Sequence, residues 1–133
     1  MRGAVLIEEP DRAGEICDYA STRLRFAAIW PERTPDEGPP LLAMHQKGRR
    51  VGVLRRVAFN DRRRRMYVVA EVSHDEEWAK VQSRFYMGLS IGGLYAARWR
   101  DEDTGLKRYT ADILEISLVD RPCMPSARLR WAA

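Results

Sequence analysis

The chain has 133 residues, 45% of them hydrophobic, enough for one domain with its own core. No run approaches the ~20 consecutive apolar residues that cross a bilayer, and the opening MRGAVLIEEPDR turns acidic before an export signal develops. The net charge of +4 is concentrated in Arg49, Arg50, Arg55, Arg56 and the run Arg62 to Arg65, so a basic hairpin turn in solvent is set against a patch for an acidic partner.

Taken in order, residues 3 to 7 (GAVLI) read as a short strand that stops at Glu-Glu-Pro-Asp. Residues 11 to 30 give mixed signals and are expected to be mostly loop with a short helix. The segment from 31 to 40, PERTPDEGPP, holds four prolines and reads as an irregular surface loop, because proline fixes φ and removes a donor. Residues 51 to 72 predict a β-hairpin. Val51, Val53, Val57 and Phe59 fall on one face, interrupted at Arg55, Asn60-Asp61 opens the turn, and Met66 to Ala70 returns. Ser73 and Glu76 have capping-box spacing, so a helix is expected from Ser73, with Trp78, Val81 and Phe85 as its apolar stripe and Gly88 as its left-handed cap. Residues 89 to 96 predict a strand whose paired glycines mark a bend or a close backbone approach. Asp101 to Gly105 is a turn, Leu106 to Tyr109 starts a return, and Ile113 to Val119 reads as another strand. Several short strands, one clear helix and no βαβ rhythm predict a mainly β fold with some α, a barrel or strongly bent sheet, as one domain over residues 1–133.

Few side chains are candidates for chemistry. The histidines are His45, between the proline loop and the hairpin, and His74, near the start of the predicted helix. Ser90 follows Gly88-Leu89 and precedes Ile91-Gly92-Gly93; a serine hydroxyl needs a neighbouring base, and small flanking residues let a carbonyl approach the backbone donors. GLSIG fits the G-x-S-x-G pattern, but that elbow joins a strand to a following helix, whereas here the helix comes first. Glu115 interrupts the apolar run ILEISLV and either faces solvent or turns inward to orient a histidine, and Asp120 is a second acidic candidate. Cys17 and Cys123 lie far apart with no close Cys or His, which speaks against a metal centre. Two free thiols in a reducing compartment are expected, with a bridge between them left open.

The succession Met44-His45-Gln46, Gly88-Leu89-Ser90-Ile91-Gly92-Gly93, Tyr109-Thr110-Ala111 and Glu115-Ile116-Ser117-Leu118-Val119-Asp120-Arg121-Pro122-Cys123 resembles the phage prohead (capsid maturation) serine protease family. It is most similar to the XkdF-like branch, which also shows openings like DRAGEICDY at 11 to 19, and the likeness runs from about Asp11 to Ala127. The resemblance implies an assemblin-like β-barrel decorated by one or a few helices, and a serine endopeptidase acting without a cofactor or metal. It implies Ser90 as nucleophile, His45 as base and Glu115 as third member, in the place where assemblin has a second histidine, with Asp120 and His74 as the alternatives. Arg121 and Gly92 would help with the oxyanion or substrate. Capsid and scaffold proteins would be the substrates, met in the host cytoplasm or inside the procapsid. Self-association stays open, no membrane contact is expected, and nucleic acid ranks last because only Tyr67 lies close to the arginines for stacking. The competing expectation is an inactive barrel of the same fold that serves as a structural or capsid-binding module.

Overall fold

A computed structural model describes residues 1–31 and 37–131. The strands are β1 (Arg2–Ile7), β2 (Glu15–Cys17), β3 (Leu41–Ala43), β4 (Arg50–Asn60), β5 (Arg65–Val72), β6 (Gly88–Arg100), β7 (Lys107–Val119) and β8 (Leu129–Arg130). Two helices, α1 (Tyr19–Ile29) and α2 (Asp75–Gln82), complete the described elements. The strands form one sheet in the order β2-β7-β3-β4-β5-β1-β8, with β6 paired to β7. The fold is mainly β with two helices, as composition and pattern predict. The ladder does not close into a barrel; where closure would fall, one isolated bridge joins Gly88 to Arg128.

The long antiparallel partner β6 occupies one side of β7, which leaves the other side for two short parallel neighbours. β2 pairs with residues 107 to 109 and β3 with residues 116 to 118. Between them α1 covers the gap and serves the exposed backbone groups of β7. The Ala111 N–H donates to the Thr22 hydroxyl at 3.1 Å, and Trp30 Nε1–H donates to the Ile113 carbonyl at 2.8 Å. The Asp18 N–H reaches the Tyr109 carbonyl at 2.7 Å, and the Ile116 N–H reaches the Pro40 carbonyl at 3.1 Å. Buried backbone groups need partners, so side chains replace the missing strand here. Phe26, Leu41, Met66, Leu89, Ile113, Ile116 and Leu118 are fully buried and form the centre of the core.

Helix α1 takes up 11 residues of the segment from 11 to 30, where the sequence predicts mostly loop with a short helix. Its buried stripe is Tyr19, Thr22 and Phe26, with a polar residue at the centre, so the amphipathic pattern is faint. Asp18 caps it by accepting from the Ser21 N–H. The hairpin of β4 and β5 forms as expected, and the interruption near Arg55 is a register shift between Leu54 and Arg56 that puts Leu54 in the core. Residues 61 to 64 form its exposed turn, in which Arg64 pairs with Glu8 at 2.7 Å.

Four local expectations fail. The capping box does not form: α2 begins at Asp75 with His74 as N-cap, and the Ser73 hydroxyl donates to the Val51 carbonyl at 3.2 Å. The left-handed residue after α2 is Arg84 (φ 65°), while Gly88 already belongs to β6. A Cβ on Gly88 would lie 2.2 Å from the Ala127 carbonyl oxygen, so glycine serves close approach there. Val81 is buried and Trp78 packs against the core as expected, but Phe85 lies beyond the helix and is exposed. The return from the 101–105 turn is not a separate element either, because Lys107 to Val119 is one strand. Of the proline loop, residues 32 to 36 lie outside the described residues, and 31 and 37 to 40 hold no regular element.

Candidate functional site

The site is built where β3 ends against β7 and β6. The chain leaves β3 through Met44 and His45, both with positive φ (52° and 57°), a conformation that costs a non-glycine residue about 1 kcal/mol or more. Three hydrogen bonds hold it. The Met44 N–H donates to the Leu118 carbonyl at 2.8 Å, the Gln46 N–H to the Ala43 carbonyl at 3.0 Å, and the His45 N–H to the Ser117 hydroxyl at 3.1 Å. This tight reversal places the imidazole over β7 and β6.

There His45 Nδ1 meets Glu115 Oε1 in a short hydrogen bond. The other carboxylate oxygen accepts from the Ser117 hydroxyl at 2.7 Å. Ser117 is fully buried and so ties the His45 backbone to the Glu115 side chain. With a proton on Nδ1 directed to the carboxylate, Nε2 keeps its lone pair and can accept a proton. The His45 side chain is 40% exposed and that of Glu115 only 16%, so the imidazole is reachable while the carboxylate is sheltered.

Ser90 sits on the neighbouring strand, in register opposite Ser117, while Gly92 stands opposite Glu115. Directly opposed residues of an antiparallel pair project to the same side, so Ser90 shares a face with Ser117. Ser90 is half-buried, and its hydroxyl donates a long 3.4 Å bond to the Ile91 carbonyl rather than to His45. Catalytic hydrogen bonds often tighten only when substrate binds.

Sequence reasoning assigns Gly92 to the approach of a substrate carbonyl. In the structure the approaching group is the Glu115 carboxylate: a Cβ at Gly92 would come within 1.7 Å of Oε1 and 3.0 Å of His45 Nδ1. Gly92 therefore makes room for the His45–Glu115 pair. Arg121 is exposed in the turn after β7, beside the start of β6, where Pro122 lies against Gly88. Asp120 is exposed and His74 caps α2, so neither joins His45. Both cysteines are free, Cys17 buried and Cys123 exposed. Burial pushes the Cys17 thiol up to about 12, which leaves it unreactive. Among the described residues no group of three or more His, Cys, Asp or Glu side chains could hold a metal ion, and no helix is long and apolar enough to cross a membrane.

Sequence reasoning gave no role to Ser117. The signal was its position two residues after Glu115 on a strand, which puts both side chains on one face. A further support was not legible: Arg49, at the end of the reversal that carries His45, donates to the buried Glu77 of α2 at 2.6 Å. Burial opposes the charge on Glu77, yet hydrogen bonds from Tyr86 and Lys80 and the Arg49 charge outweigh it and hold the carboxyl below its ordinary value. Comparison of the chain with protein families, curated proteins and solved structures finds no match.

Proposed function

We propose that the protein is a serine endopeptidase of phage capsid maturation, cleaving scaffold or capsid protein through Ser90, His45 and Glu115. The observation that carries the reading is the Glu115 carboxylate on His45 Nδ1, one strand away from Ser90, with Ser117 joined to both members of the pair. In the reaction, Nε2 of His45 takes the Ser90 proton as Oγ attacks the scissile carbonyl. Glu115 holds the tautomer and stabilises the imidazolium, which then protonates the leaving amine. Water attacks the acyl ester by the same route, with its proton passing through His45, and Ser90 is restored. Backbone N–H groups near the serine, with Arg121 from the adjoining turn, are the proposed oxyanion partners. The order of motifs along the chain supports the capsid-protease assignment, and the bridge from Gly88 to Arg128 is compatible with an assemblin-like barrel. The host cytoplasm and the procapsid interior are the proposed places of action.

A non-catalytic capsid- or scaffold-binding module is the second reading, favoured by the Ser90 hydroxyl leaning on Ile91 instead of His45. A fluorophosphonate probe separates the two, because only an activated serine is phosphonylated, with loss of fluoride. The enzyme reading expects a stoichiometric adduct on Ser90 that disappears in His45→Ala. Absence of the adduct in the folded protein would leave the module reading standing.

A further inference from the structure

A cavity of about 390 Å³ opens beside His45 and Glu115, and its character differs from that of the pair itself. At one end stand His45 and Glu115, and from there the cavity follows β6 past Gly92 and Gly93. Its walls are apolar: Ile91 and Ile113 on the two strands, and the small side chain of Ala111. Leu94, 65% exposed, forms a rim, and Tyr95 and Tyr109 stand edge to face at 5.1 Å as a far wall. Ligand cavities have volumes of roughly 300–1,000 Å³ and apolar linings with a few placed polar groups.

Tyr95 carries the argument further. It is 52% exposed, and an exposed tyrosine ordinarily keeps its rotamer freedom. Here its hydroxyl donates to Glu15 Oε1 at 2.6 Å, and Arg98 lies 4.2 Å over its ring while binding Glu15 Oε2 at 2.7 Å. A sheltered carboxylate and a guanidinium thus hold one ring in place, which prepares a rigid aromatic wall before anything binds. The cation is spent on Glu15, so the wall presents an apolar face.

We propose that this cavity is a substrate subsite that accepts a large apolar side chain of the peptide being cleaved, with Ala111 setting its depth and Tyr95 its far wall. The proposal rests on the endopeptidase reading, since the reacting serine precedes the cavity by one residue along β6. A peptide with an aliphatic or aromatic side chain in the cavity is held with its backbone near Ser90 and His45. An acidic or basic side chain there loses its hydration without gaining a partner, because Glu115 is engaged by His45 and Ser117, and Glu15 by Tyr95 and Arg98.

The test incubates the full chain with a bacterial proteome digest, reads the cleavage sites by mass spectrometry, and labels Ser90 in parallel with the fluorophosphonate. The expected result is one substrate position at which Leu, Ile, Met or Phe is favoured over charged residues by roughly tenfold or more. Ala111→Phe, which fills the cavity floor, should shift that position to Ala or Gly among the sites that are still cleaved. Leu94→Glu, at an exposed rim that folding does not need, should lower cleavage at apolar sites about tenfold and raise it at Lys or Arg. Labelling with no apolar preference, or with a profile unchanged in both variants, would overturn the subsite and leave the endopeptidase reading in place. Loss of both labelling and cleavage in the wild type would remove the reading and the subsite together.

Discussion

Glu115 is a strand residue with one oxygen on an imidazole and the other on a buried hydroxyl, and each contact gives a separate expected outcome. Glu115→Gln preserves shape but no longer favours the Nδ1–H tautomer, so kcat should fall by about 10³- to 10⁴-fold with little change in the unfolding midpoint. Steady-state kinetics together with a thermal melt checks this, and an unaltered kcat would remove Glu115 from the mechanism. Gly92→Ala is smaller chemically but harsher sterically. Its methyl group would overlap Oε1 and must displace the carboxylate, so activity should be lost as fully as in Glu115→Ala. A Gly92→Ala variant with wild-type kcat/KM would mean that the carboxylate position does not matter. The sequence singled out His45, Ser90 and Glu115 as candidates because each is a reactive or out-of-place residue in its segment, and the structure joins His45 to Glu115. It hid Ser117, an ordinary strand serine until the reversal at Met44-His45 brings a backbone N–H to its hydroxyl.

At the level of elements, α1 and α2 support the site by different forces. Phe26 is fully buried and meets Phe59 edge to face at 5.8 Å, so Phe26→Ala should destabilise the protein by about 3–5 kcal/mol, measured by denaturant unfolding. A loss below about 1 kcal/mol would show that α1 does not pack as described. Glu77 works through charge. Its folded-state pKa lies below the unfolded value of about 4.3, so its contribution is complete above that value and fades as pH falls through the depressed one. Wild type should therefore lose stability relative to Glu77→Gln as pH drops from about 5 to 3. A constant stability difference across that window would contradict the linkage. The hairpin of β4 and β5 and the strand containing Ser90 were readable because alternation and turn residues are local signals. α1 was not, since its stripe of Tyr19, Thr22 and Phe26 gains meaning only when Thr22 receives the Ala111 N–H.

Across the whole molecule, the mainly β class follows from many short alternating segments, whereas the arrangement of the strands depends on partners far apart in sequence. β2 and β3 both lie parallel to β7 from more than 70 residues away, a pairing that no local pattern announces. Neither does the edge near Gly88, where a single bridge to Arg128 stands in place of a ladder. This arrangement brings the end of β3, the middle of β7 and the start of β6 to one place, and the account stands or falls on chemistry occurring there. The most direct measurement is co-expression of the chain with the scaffold and capsid proteins proposed as its substrates, comparing wild type with Ser90→Ala at equal abundance and equal unfolding midpoint. The account predicts that wild type trims at least one of these proteins at a defined bond, while Ser90→Ala, matched to it in stability within about 1 kcal/mol, leaves every one full length. Equal processing by both would contradict Ser90 as nucleophile, and processing by neither would contradict the endopeptidase itself.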